Sequence, residues 1–288
     1  MRGGTRTATF HAVTPAERSD AIEIDSRRFA WRAIGSGPVL VLLNGYSAAA
    51  ADWDPNLLDG LASSFTVICP DNRGMGESEL GHPSGPPMTS DSMAEDVERL
   101  LDHLDVERAP VAGWSMGGMI AQQLALRAPT RVEKLILLAT DSGGPRSVLA
   151  QPEAWAALTN HTGTPREQAT RLIPLLFPPA FVPAVEELSG DLIAVARAAL
   201  SIDTMLAQQQ AISEFHAEDP PFPDPDTVPP VLVLVGTEDI VVPPENAEVL
   251  ANVWQQCEVE RFEGGGHAFF ALEPQRVAAS ITTFTQGD

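Results

Sequence analysis

The segment that most constrains this chain runs from Ala109 to Arg127. A short apolar run, Ala109–Ala112, meets Gly113-Trp114-Ser115-Met116-Gly117, and helical periodicity then holds over Met116–Arg127 until Pro129 stops it. A strand that passes into a helix across so few residues must turn sharply, and the residue at the apex takes a strained backbone conformation. That turn needs small neighbours two positions to either side, and Gly113 and Gly117 supply them. The apex is Ser115. Its hydroxyl is expected to stand at a strand's end, beside the free N–H groups and positive dipole end of a helix. A bare G-x-S-x-G recurs by chance, so the flanking strand and helix are what mark Ser115 as a candidate nucleophile.

The rest of the chain repeats this alternation. Val39–Leu43, closed by Asn44-Gly45, and Phe65–Cys69, closed by Pro70, read as strands, as do Val132–Ala139, Val231–Val235 and Val259–Phe262. Met93–Leu104, with Asp91 as its N-cap, and Pro274–Phe284 read as helices. The stretch Ala8–Arg32 is expected to add two or three antiparallel edge strands. The fold class is therefore α/β, a mostly parallel central sheet flanked by helices. One interval breaks the rhythm: about 90 residues separate Thr140 from Val231, against a usual connection of ~4–6. It holds Trp155, Leu172, Phe177, Phe181 and a helical run from Asp191 to Phe215, and returns through the proline-rich strap Pro220–Pro230. We read residues 142–225 as an inserted helical lid, and residues 1–141 and 226–288 as the core.

Charge narrows the function classes. With 39 acidic against 18 basic side chains the chain carries −21, which argues against a nucleic-acid partner and against docking on an anionic membrane. The longest apolar runs are far too short to span a bilayer. Met1–Thr14 is polar and contains Arg, unlike a secretory leader, and Cys69 and Cys257 do not make a disulfide framework. The expected setting is the cytoplasm, for a monomer or homodimer acting on a small molecule. Metal and cofactor signals are absent: there is no H-x-x-x-H, no C-x-x-C and no P-loop.

A serine hydroxyl is a weak nucleophile and needs a base. Of the six histidines, His11 and His82 fall in irregular or edge segments, His103 on a polar helix face, and His161 and His216 in the lid. His267 follows Gly264-Gly265-Gly266 directly after the last strand, where a loop carries it over the sheet's C-terminal edge. An acid must then fix its tautomer. Asp239, in the turn after Val231–Val235, sits on the rim that carries Ser115; Glu238 points the other way. Asp141, just past Thr140, is the rival acid.

With these residues in place, the chain resembles the α/β-hydrolase fold superfamily, in its lidded esterase, lactonase and carbon–carbon hydrolase branch. Beyond the elbow, Asp71-Asn72-Arg73-Gly74-Met75-Gly76-Glu77-Ser78 matches that family's D-x-R-G-x-G-x-S turn, read here as a packing turn. Gly236-Thr237-Glu238-Asp239 resembles its acid turn and Gly266-His267 its terminal histidine, in the family order Ser115, Asp239, His267. The resemblance implies an oxyanion hole made by the backbone N–H groups of Met116 and Tyr46. Asn44 departs from the histidine that the family places before the glycine of that second site. Trp114, Phe177, Phe181 and Phe269 are candidate substrate contacts. The implied activity is hydrolysis of a carboxylic ester or lactone of a small, largely apolar substrate. Carbon–carbon bond hydrolysis is the alternative within the fold, although members of that type often place Asn where this chain has Trp114. A ligand-binding module with weak turnover is the alternative outside it.

Overall fold

The computed structural model describes residues 17–82, 85, 87–221 and 223–287; His11 and the Ala8–Ala16 part of the expected edge strands lie outside them. The chain forms one eight-stranded sheet from β1 (Glu17–Ile24), β2 (Arg27–Gly35), β3 (Val39–Leu43), β4 (Thr66–Pro70), β5 (Ala109–Trp114), β6 (Val132–Leu138), β7 (Val231–Gly236) and β8 (Cys257–Phe262). Their order across the sheet is β1-β2-β4-β3-β5-β6-β7-β8. β1 and β2 form an antiparallel hairpin whose turn residues, Asp25 and Ser26, both have positive φ, the geometry that suits strand twist. β2 meets β4 antiparallel, and every other pairing is parallel. Two antiparallel strands, β1 at the edge and β2 inside it, are therefore present among the described residues.

Side chains alternate across a strand, and here the alternation builds a core on each face of the sheet. Val41, Leu43, Val111, Leu135, Leu137, Val231 and Val233 face α2 (Ser90–His103), α3 (Met116–Arg127) and α8 (Asn246–Val253). Leu40, Leu42, Ala112, Ile136, Leu138, Leu232 and Leu234 face α1 (Pro55–Ala62), the short α9 (Phe269–Leu272) and α10 (Pro274–Gln286). The inner strands are buried on both sides, which is why they read as unbroken apolar runs.

The sequence expectations needed adjustment at several points. α2 begins at Ser90, and its cap is Thr89 rather than Asp91: Thr89 Oγ1 accepts from Ser92 N while Ser92 Oγ accepts from Thr89 N. α1 and α8 were not expected, being eight-residue helices. Between β6 and β7 stand α4 (Pro152–Leu158), α5 (Pro165–Leu176), α6 (Val182–Ala198) and α7 (Ile202–Ala217), so the expected run from Asp191 to Phe215 is two helices. α7 sends Met205, Ile212 and Phe215 into the sheet's core, while α5 and α6 pack on each other.

Asp141 ties this insertion shut at its two ends. It accepts from Gly143 N at 2.9 Å and Ser147 Oγ at 2.9 Å, and both its oxygens lie 3.1 Å from His216 Nε2 on α7. The turn from Asp71 to Ser78 is also built for packing. Asp71 accepts from Ala50 N and Glu77 N, and Ser78 Oγ bridges the Asp71 carbonyl to Ala30 N. Both cysteines are free, and burial pushes the Cys69 thiol up to about 12. Among the described residues no helix is long and apolar enough to cross a membrane.

Candidate functional site

The end of β5 delivers Ser115 to the start of α3 at φ 55 and ψ −121, a conformation that costs a non-glycine residue of order 1–3 kcal/mol. Two hydrogen bonds hold its backbone there: Ser115 N donates to Leu138 O at 2.9 Å, and the Thr140 side chain donates through Oγ1 to Ser115 O at 2.8 Å. Glycine at 117 is a steric necessity, because a Cβ there would overlap the Leu43 carbonyl oxygen of the neighbouring strand. Ser115 thus stands where α3 begins, at the C-terminal edge of the sheet.

β7 and β8 bring the other two polar residues to the same edge. Asp239 lies in the turn after β7, with Oδ1 accepting from Val241 N at 2.8 Å and Val242 N at 2.9 Å. Its second oxygen, Oδ2, is 2.8 Å from His267 Nδ1. Both residues are only 3% exposed, so this contact forms away from bulk water. A carboxylate only accepts, so Nδ1 carries the donated proton and Nε2 of the neutral ring is left as the acceptor. The glycines before His267 let the loop pass beneath the insertion: a Cβ on Gly266 would stand 2.6 Å from Leu176 O. Asp141, the rival acid, is engaged with His216 instead.

Trp114 does more than the sequence suggested. Its Nε1 donates to the His267 carbonyl at 2.9 Å, and its ring lies 5.2 Å from the imidazole, so the residue before the serine also anchors the histidine. Ser115 and His267 line one cavity of about 700 Å³, together with Tyr46, Trp114, Phe177 and Arg197. Among the described residues no hydrogen bond joins Ser115 Oγ to His267; in such sites that bond commonly tightens only when substrate is bound.

The candidate oxyanion donors flank the serine. Gly45 lies against the elbow, where a Cβ would come within 3.2 Å of Ser115 Cβ. Neither Tyr46 N–H nor Met116 N–H donates a hydrogen bond among the described residues. The loop carrying Tyr46 is held by Asn72 Nδ2, which donates to the Asn44 carbonyl at 3.0 Å. In the sequence, only the place of Asn72 inside the Asp71–Ser78 turn hints at this role. The Tyr46 hydroxyl reaches the insertion, accepting from Gln209 Nε2 at 2.8 Å with His161 Nε2 at 3.1 Å. Burial raises its pKa, which keeps the phenol protonated.

Two of the four candidate substrate contacts lie elsewhere. Phe269 stacks on Phe262 at 4.5 Å inside the core, and its neighbour Phe270 takes the cavity wall, 5.1 Å edge-on from Trp114. Phe181, at the start of α6, is 42% exposed and does not line the cavity. Trp114 and Phe177 do line it. Among the described residues no group of three or more His, Cys, Asp or Glu is placed to hold a metal ion.

Comparison with known proteins points the same way. Residues 38–274 match the model of the alpha/beta hydrolase fold family. The protein named carbamate hydrolase RutD of Caulobacter sp. (strain K31) is 27% identical over 290 residues, covering 100% of this chain and 99% of that protein. Its namesake in Azorhizobium caulinodans is 30% identical over 245 residues, 83% of this chain and 88% of that one. A solved thermophilic esterase from Thermogutta terrifontis, with malate bound, superposes with a TM-score of 0.72 at 26% identity, covering 93% of this chain and 97% of the esterase.

Proposed function

The chain belongs to the alpha/beta hydrolase fold family, and from that premise we propose that it is a serine hydrolase cleaving a carboxylic ester or lactone through an acyl-enzyme on Ser115. The observation that carries this reading is the strained serine at the start of α3, sharing one cavity with a histidine whose Nδ1 is held by a buried carboxylate. Ser115 Oγ attacks the substrate carbonyl as its proton passes to His267 Nε2, and Asp239 stabilises the imidazolium. The new oxyanion takes the N–H groups of Met116 and Tyr46, each worth about 2.7–4 kcal/mol of transition-state stabilisation. Collapse of the intermediate expels the alcohol, which takes the proton from Nε2. Water then attacks the acyl-enzyme, gives a proton to His267 and releases the acid as Ser115 recovers its own. The helical insertion acts as the lid that shapes the acyl site, since Phe177, Leu172 and Ile193 from it line the cavity. A carbamate carbonyl is the second reading, favoured by the name that two relatives share.

An acyl-enzyme has a consequence that direct attack by water lacks. Two esters with one acyl group and different alcohols, hydrolysed in the presence of hydroxylamine, partition through the same intermediate. The hydroxamate-to-acid ratio is expected to be equal for both. Ratios that follow the leaving group would mean that no common acyl-enzyme forms.

A further inference from the structure

Arg197 is the unexplained charge of this site. It is 8% exposed, on α6, and lines the cavity that holds Ser115. Two other arginines are as deeply buried, Arg27 and Arg73, and Asp96 pairs with both. Elsewhere in the insertion Arg146 pairs with Asp219, and Arg166 with Glu186 and Asp191. Arg197 has no carboxylate within 4.0 Å among the described residues. Its three contacts are to neutral acceptors and are long for a guanidinium: Ser47 Oγ at 3.1 Å, Gln168 Oε1 at 3.2 Å and His161 Nδ1 at 3.3 Å. Arginine only donates, so the His161 ring accepts and is neutral there; burial and the Arg197 charge both lower its pKa. None of the acidic residues that the structure describes lies within 4.0 Å of its guanidinium. A buried charge left without a counter-ion is costly, and a bound anion would offset that cost.

The position says what fills it. Ser47, which receives Arg197 Nη1, directly follows Tyr46, the residue whose N–H faces the reacting carbonyl in the proposed mechanism. We propose that Arg197 binds a carboxylate carried by the acyl part of the substrate, a few bonds from the scissile carbonyl: a half-ester of a short dicarboxylic acid, or a lactone bearing a carboxyl group. The inference rests on the serine-hydrolase reading and adds the substrate class. The guanidinium fork matches a carboxylate in two parallel hydrogen bonds, and the apolar walls of Trp114, Phe177 and Phe270 accommodate the intervening methylenes. The mouth of the cavity is acidic, with Asp52, Asp54 and Asp59 on it. Its repulsion of an anion is screened by salt beyond ~8 Å at physiological ionic strength, whereas the buried Arg197 is screened less. Added salt is therefore expected to raise kcat/KM for such a substrate.

The test compares monomethyl succinate, glutarate and adipate with neutral methyl esters of matching shape, such as methyl 5-methylhexanoate for the glutarate, by proton release at pH 7.5. The native chain is expected to prefer the half-ester at one chain length. Arg197→Met is expected to lower the ratio of the two kcat/KM values by at least about 30-fold, and Arg197→Lys by less. If Arg197 only staples the insertion to the core, the variants lower both rates together and the ratio stands, which overturns the inference. It also falls if the native chain favours the neutral ester at every length. Ser115→Ala run alongside separates the two claims. A variant lacking the serine that still cleaves both esters removes the serine reading, whereas an unchanged ratio removes only the carboxylate site.

Discussion

Replacing Ser115 by alanine is expected to lower kcat, on an ester that the native chain cleaves, by about 10⁶-fold, and replacing Asp239 by asparagine by about 10⁴-fold. In the proposed mechanism the first change removes the atom that forms the acyl bond and leaves the proposed oxyanion donors and the cavity. The second keeps the size of the side chain and the bonds that Oδ1 makes to Val241 N and Val242 N. It puts an amide where Oδ2 meets His267 Nδ1 at 2.8 Å, so the ring is no longer held with its proton on Nδ1, and the imidazolium loses its counter-charge. At 1.36 kcal/mol per decade, a 10⁴-fold loss is about 5.4 kcal/mol of transition-state stabilisation. Asp141→Asn is the control, because Asp141 serves His216 and the ends of the insertion. It is expected to keep kcat within about tenfold, as a change remote from the reacting atoms. Loss of activity in Asp141→Asn with retention in Asp239→Asn would reverse the choice of acid.

The largest expected effect on stability lies at Asp96. Asp96, on α2, is 1% exposed and holds two buried guanidinium groups: Arg27 Nη2 at 2.9 Å, and Arg73 through Nε at 2.5 Å and Nη2 at 3.0 Å. Arg27 belongs to β2 and Arg73 to the Asp71–Ser78 turn, so a single carboxylate joins an antiparallel strand, a helix and the turn that steadies the Tyr46 loop. Asp96→Ala leaves two charges buried without a partner and is expected to cost about 3–5 kcal/mol. Total stability is commonly ~5–15 kcal/mol, so that is a large fraction. A thermal melt is expected to fall by roughly 6–10 °C, at about 2 °C per kcal/mol for a chain of this size. The sign is informative. Removing an acid from a chain of charge −21 relieves general repulsion, so a purely global charge effect would raise the melting point. An unchanged or higher melting temperature would show that the trio contributes nothing net.

How far the sequence could be read depended on the kind of signal. Helix α3 was placed at Met116–Arg127, its observed span, because the glycine turn and Pro129 mark both ends chemically. The inner strands were legible because burial on both faces leaves unbroken runs of Val, Leu and Ile. The helices α1 and α8 were not, since eight residues give barely two turns of periodicity. Thr89 and Asp91 are both good caps by residue type, and only the reciprocal bond with Ser92 chooses Thr89. Phe269 and Phe270 are adjacent in a four-residue helix, where no period says which ring turns to the core. Arg197 was one of four arginines in the insertion, alike in sequence. Burial and the whereabouts of the acids distinguish it, and those are tertiary facts.

The measurement that bears most directly on the central claim is intact-mass labelling with a fluorophosphonate, on the native chain and on Ser115→Ala and His267→Ala. An activated serine gives one adduct per chain, lost in Ser115→Ala and formed far more slowly in His267→Ala. A folded native chain that takes no adduct, or one whose adduct persists in Ser115→Ala, would contradict the assignment of Ser115 as nucleophile.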